Sequence, residues 1–250
     1  MGLGVLTPMI GYDNHLLTGT PTGDGTDPAN AYDWLTADAW TTGAADGYLR
    51  AVMAGSTACS YYAVAGHNIF TRGGTCKMQY WTGAAYADIA GTSYTPPNNN
   101  AFMIPFPSRS AERFQFVVSG LSAAASIAVV TFGVRLDLEQ GVTGGYAPPR
   151  FARRDAVYNN TTQGGAFAGR SLISTGVAGT LALSHLDESW VRVYLDDFLI
   201  DSRTQGWFLL WSPEHYPTEC AYCWTTSTPT PSYEDRGLMS VQIEYEGTTG

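Results

Sequence analysis

Three stretches of the chain alternate apolar and polar side chains with a period of two, and this rhythm constrains the fold more than any other feature. In Thr75–Trp81, Cys76, Met78 and Tyr80 alternate with Lys77 and Gln79. In Arg113–Val118, Phe114, Phe116 and Val118 alternate with Arg113 and Gln115. Near the end, Met239, Val241, Ile243 and Tyr245 alternate with Ser240, Gln242, Glu244 and Glu246. Successive side chains of a strand point to opposite faces, so each stretch is expected to lay one apolar face on a core. Tyr61–Ala65 and Ile127–Leu138 are further apolar segments, the second rich in the β-branched residues that suit a pleated surface. Turn-forming clusters separate them: Gly23-Asp24-Gly25, Arg72-Gly73-Gly74 and Pro96-Pro97-Asn98-Asn99-Asn100. Strands punctuated in this way predict an antiparallel sandwich. Neither a βαβ rhythm nor a glycine-rich phosphate loop interrupts them.

A composition break falls near residue 145. Gly141–Pro149 joins glycines to a proline pair, and Tyr158–Gly165 is polar and loose. The expected division is a jelly-roll β-sandwich over residues 1–142 and a second β-rich domain over 143–250. In the second, Trp190, Tyr194 and Phe198 recur every four residues beside Val191, Leu195 and Leu199. That stripe predicts one amphipathic helix over residues 187–201, with Asp187 and Ser189 placed to cap its first amides. Glu188, Arg192, Asp196 and Ser202 are expected on its other side. Trp207–Trp211 is apolar throughout and reads as a strand buried on both faces. The fold class is therefore mainly β, with one helix.

Charge narrows the function. The 250 residues include 13 Lys plus Arg and 22 Asp plus Glu, for a net charge of -9. Charged residues make up 14% of the chain, below the roughly 25% usual for globular proteins. A self-repelling disordered polymer is excluded, and nucleic-acid binding lacks the clustered cations it needs. Lys77 is the only lysine. The first ten residues carry no cationic region and no long apolar run, so no secretory leader is expected. Leu121–Val134 is too short for a membrane span, which takes about 20 apolar residues. A soluble chain made in a cytoplasm, without membrane insertion, is the expectation.

Few side chains suggest chemistry. His67, at the end of an apolar strand, is expected to bond loop carbonyls through its ring. Cys220 and Cys223 form a CxxC pair, but on a strand residues three apart point to opposite faces, which disfavours chelation. Asp24, Asp27 and Asp33 lie in an acidic loop whose spacing is no EF-hand. No catalytic residue, metal site or cofactor is expected. Trp34, Trp40, Trp81 and Tyr86 offer aromatic surfaces of the kind that stack on sugar rings.

The segment Tyr61–Trp81 (YYAVAGHNIFTRGGTCKMQYW) carries an apolar-Ala-x-His-Asn-apolar element, a glycine turn and an alternating strand. It resembles the discoidin-like, galactose-binding-like jelly rolls of phage virion proteins, a resemblance that extends over about residues 10–140 and takes in Ala31–Trp40. Gly164–Ser171, the helix, Trp207–Trp211 and Ser212–Trp224 resemble the C-terminal module of tailed-phage minor tail proteins. The resemblance implies a structural component of a virion tail, at the tail tip or baseplate and without enzymatic activity. It implies a homo-oligomer, a trimer or hexamer, that docks neighbouring tail proteins. The alternative it implies is a carbohydrate-binding module for host-surface glycan, with Trp34, Trp40 and Tyr86 at the sugar.

Overall fold

A computed structural model describes residues 7–250. Residues 1–6, the larger part of the segment read for a leader, lie outside them. No helix of the described residues is long and apolar enough to cross a membrane.

Two long strands organise the first sheet. β4 (Gly47–His67) and β7 (Phe102–Ser119) pair antiparallel, with register shifts between Val52 and Thr57 and between Cys59 and Tyr61. Both exceed the usual strand length of about 3–10 residues, and a sheet that long must bend. Beside the first half of β4 lies β2 (Thr20–Gly23); β5 (Thr75–Trp81) and β6 (Tyr86–Asp88) continue beyond β7. The second half of β4 pairs with β8 (Ser126–Gly133), which pairs with β3 (Trp40–Thr41). Tyr62 is the register partner of Ile104, yet its ring lies 5.7 Å from Phe116 on the far half of the same strand. The sheet has folded over on itself into a jelly-roll sandwich. Leu49, Ala51, Val64, Met78, Phe114, Ile127 and Phe132 fill it from both sides, with Leu16 added by a short helix, α1 (His15–Thr18).

The second sheet packs on the back of that sandwich. Its path runs β12 (Val177–Asp187), β16 (Leu238–Thr248), β14 (Cys220–Thr225), β13 (Trp207–Leu210), β1 (Met9–Gly11) and β9 (Leu136–Asp137), with β15 (Ser232–Tyr233) beside β16. The boundary expected at residue 142 is therefore crossed: β1 and β9, from the first part of the chain, hydrogen-bond into the sheet of the second. The reason is packing on two faces. In β13, Trp207 and Leu209 point to one core, while Phe208 and Leu210 meet Tyr61, Ala63, Ala65 and Val129 of the sandwich. Gly11 permits the close approach of β1, since a Cβ there would lie 2.4 Å from the Tyr61 ring. The unbroken WFLL run follows from this double burial.

The far face of the second sheet is covered by one helix, α2, which runs as α-helix over Glu188–Trp190, π-helix over Val191–Leu195 and α-helix over Asp196–Asp201. The Asp187 carboxylate accepts from the Ser189 and Trp190 amides and caps it. Val191, Leu195, Phe198 and Leu199 are buried, but Tyr194 is exposed, because the π turn advances the helix by an extra residue and rotates the expected stripe. Ser202, expected on the outer side, is buried and donates to the Leu199 carbonyl. Tyr158–Gly165 is not loose: β10 (Ala156–Thr161) and β11 (Phe167–Ser174) form a separate two-stranded hairpin.

Candidate binding face

The solvent side of the sandwich carries the most organised set of polar and aromatic side chains. Cross-strand register places Thr22, Arg50, Gln115, Gln79 and Asp88 in one row across β2, β4, β7, β5 and β6. The alternation that buries Leu49, Met78, Phe114 and Phe116 sends these residues outward. Arg50 donates through Nε and Nη2 to Gln115 Oε1, at 3.1 and 2.8 Å. Gln79 Nε2 donates to Asp88 Oδ1 at 2.7 Å, and Lys77 Nζ to Asp88 Oδ2 at 3.0 Å. Those two bonds, Gln79 first, hold the Asp88 carboxyl below its usual range.

Aromatic rings flank the row. Trp81 and Tyr86 are register partners with centroids 5.1 Å apart, edge to face. The Arg50 guanidinium lies 4.5 Å from the Tyr86 centroid and 5.0 Å from that of Tyr48, and Arg113 lies 5.0 Å from Trp81. Such contacts contribute roughly 0.5–1 kcal/mol each at exposed sites and fix the side chains in place. Desolvation raises the Tyr86 phenol, against the lowering effect of Arg50 and Arg113. Among the described residues, the Tyr86 hydroxyl and Arg113 Nε are enclosed without a hydrogen-bond partner.

The expected sugar-stacking residues do not converge. Tyr86 and Trp81 belong to this face. Trp40 is 0% exposed in the sandwich core, where its indole N–H donates to the Asp24 carbonyl, so it has no free ring surface. Its apolar neighbours claim it because it faces inward beside β8. Trp34 sits across the sandwich–sheet junction at φ 70°, its carbonyl accepting from the Tyr222 hydroxyl, in a depression of about 330 Å³ shared with Trp224. Arg50, Gln79, Gln115 and Asp88 were not singled out in sequence. Gln79 and Gln115 were the polar half of two alternating strands, while Arg50 and Asp88 lay outside both; the missing information was the register that aligns all four.

The remaining candidates resolve into structure. His67 Nε2 donates to the Asn100 carbonyl at 3.0 Å and Nδ1 accepts the Ile69 amide at 3.3 Å, as expected of a strand-end histidine. Burial lowers its imidazolium to about 4. Cys220 faces the sandwich and Cys223 the opposite core, and both are buried free thiols. Asp24 accepts from the Tyr48 amide and ties the loop to β4, and Asp33 accepts from the Leu35 amide and closes a local turn. Among the described residues no cluster of three or more His, Cys, Asp or Glu forms a metal-holding group. A cleft of about 600 Å³ between the Asn98–Asn100 turn and the second sheet carries Arg150, Arg153, Asp155 and Glu219 but no aromatic ring.

No family model and no curated protein matches the chain. Solved structures overlap about half of it. A family 32 carbohydrate-binding module from C. perfringens NanJ in complex with galactose is 20% identical, with a TM-score of 0.39, over 49% of this chain and 98% of that one. The family 32 module of AlyQ, in complex with 4,5-unsaturated mannuronic acid, is 16% identical (TM-score 0.39, 49% and 96%). A pectin-binding module is 14% identical (TM-score 0.38, 46% and 88%).

Proposed function

We propose that the protein is a carbohydrate-binding module and that the outer sandwich face is its binding surface. One observation carries this reading: a row of planar hydrogen-bonding groups, Arg50, Gln79 and Asp88, with the buried Gln115 accepting from Arg50, runs beside the Trp81–Tyr86 pair on the outer sheet. Sugars present apolar C–H faces and hydroxyls on the same ring, and the combination of aromatic rings with fixed amide, guanidinium and carboxylate groups suits both.

A glycan array followed by titration calorimetry tests the proposal. Saturable binding is expected, lost at least tenfold in Trp81→Ala and in Arg50→Ala and unchanged in Trp224→Ala, which lies on the second sheet. Absence of binding across plant, bacterial and host glycans would sink it.

A second reading, a building block of a tailed-phage tail tip or baseplate, is favoured by the β10–β11 hairpin, whose large apolar side chains are exposed. Detection of the chain in purified virions at a symmetric copy number is its test, and absence from the particles would remove it.

A further inference from the structure

The β10–β11 hairpin is built as though something covers it. Phe167 is 69% and Ile173 70% exposed, and Val157, Tyr158 and Leu172 are exposed as well. Register puts Val157 opposite Leu172, and Asn159 opposite Arg170, on one face. A two-stranded hairpin alone is marginal in water, and among the described residues this one also leaves both outer edges unpaired. Within residues 156–174 the single charged side chain is Arg170, while Arg150 and Arg154 at the root are paired with Glu219 and Glu246. Arg170 bonds the neutral Asn159 side chain, not an acid.

A groove of matching character lies elsewhere. It has a volume of about 400 Å³ and is lined by Val134, Val193, Tyr194 and Ile200, with Asp13, Asp197 and Asp201 among them. The four apolar residues are all exposed. Among the described residues Asp197 and Asp201 have no ion-pair partner, and the groove's one cation, Arg135, is held by Asp137 and the Ser60 and Phe106 carbonyls. Desolvation, then Asp197 and Asp13, raise the Asp201 carboxyl, as expected of acids crowded without a counter-charge.

The hairpin does not occupy the groove of its own chain, since the apolar residues of both are exposed. Its root is bridged to β12 through Arg153 and Val177, at one edge of the second sheet, while the groove opens at β9, the opposite edge. Five strand spacings of about 4.8 Å put roughly 24 Å of sheet between them. We infer that the hairpin docks in the Asp197–Asp201 groove of a second copy, laying Val157, Leu172 and Phe167 on the apolar floor and Arg170 among the carboxylates. Such a contact joins different surfaces of the two copies and so propagates head to tail, closing into a ring or extending as a filament. It supplies the assembly contact that the tail reading needs but does not rest on it, because it is measured with the purified chain alone.

Sedimentation velocity over a range of concentrations tests it. The wild-type chain is expected to associate, more weakly as salt rises. A hairpin variant, Arg170→Glu with Leu172→Asp, and a groove variant, Asp197→Arg with Asp201→Arg, should each be folded by circular dichroism and monomeric. All four positions are at the surface, and Arg170→Glu alone serves if the double change disturbs the hairpin. Mixed in equal amounts, the two variants have one intact hairpin and one intact groove between them, so they should form dimers and stop there. A wild-type chain that stays monomeric, a folded variant that assembles like wild type, or a mixture that fails to pair would each overturn the inference.

Discussion

His67 donates to one loop carbonyl and accepts from one amide, an arrangement that only the neutral imidazole satisfies at both nitrogens. Protonation would turn Nδ1 toward the Ile69 N–H as a second donor and place a charge among buried groups. Burial, against the opposing Asn100 hydrogen bond, lowers the folded imidazolium to about 4 from its ordinary 6.5. Between those two values the unfolded chain binds the extra proton, so stability is fully present above 6.5 and is lost as the pH falls toward 4. The gap corresponds to about 3 kcal/mol, of which about 2 should be lost between about pH 7 and about pH 5. Urea unfolding at the two pH values measures it, and His67→Gln should flatten the slope; an unchanged slope would point to another group. Trp40 and Trp81 make the complementary pair. Trp40→Ala should cost about 3–5 kcal/mol of stability and leave glycan affinity of the folded fraction intact, whereas Trp81→Ala should do the reverse.

Elements obey the same logic of faces. The alternating strands and the doubly buried WFLL run were legible because burial imposes a pattern on consecutive residues, and the long helix because its stripe is wide. What sequence withheld was phase and pairing. The Trp190–Tyr194–Phe198 stripe assumes an uninterrupted 3.6-residue period, and the π turn over Val191–Leu195 breaks it. Phe198→Ala should therefore lower unfolding free energy by about 3–5 kcal/mol, and Tyr194→Ser should stay within about 0.5. Equal losses in chemical denaturation would mean that the helix packs in the unbroken register. The binding face was half legible for a related reason. Tyr86 and Trp81 were visible as aromatic residues, but Arg50 and Gln115 lie 65 positions apart and become neighbours only through the β4–β7 register. Trp40 was misplaced because composition marks an aromatic residue without telling which side of a two-layer sandwich it faces, and Trp34 lies apart from the outer face, at the junction with the second sheet.

At the scale of the whole molecule, the strand order decides what can be separated. β1 is held between β13 and β9, Tyr222 donates to the Trp34 carbonyl, and Tyr61 donates to the Asp13 carbonyl, so the sandwich and the second sheet share one buried seam. Cutting the chain at residue 142 removes β13 and β14, and the fragment 1–142 would expose Tyr61, Ala63, Ala65, Met103 and Val129, all at most 1% exposed in the full chain. An apolar patch of that kind drives self-association. The full chain should therefore unfold in a single calorimetric transition, while the fragment should bind a hydrophobic dye and aggregate on gel filtration; a monomeric fragment with its own sharp transition would show that the seam is dispensable. The hairpin stands apart from this cooperative unit, since its side chains are almost all exposed within one copy. Replacing residues 156–174 by a short Gly-Ser link should shift Tm by less than about 2 °C in the monomer, because little buried apolar area is lost. A drop comparable to that of a core substitution would mean that the hairpin folds back onto its own chain, and the head-to-tail contact would lose its free arm.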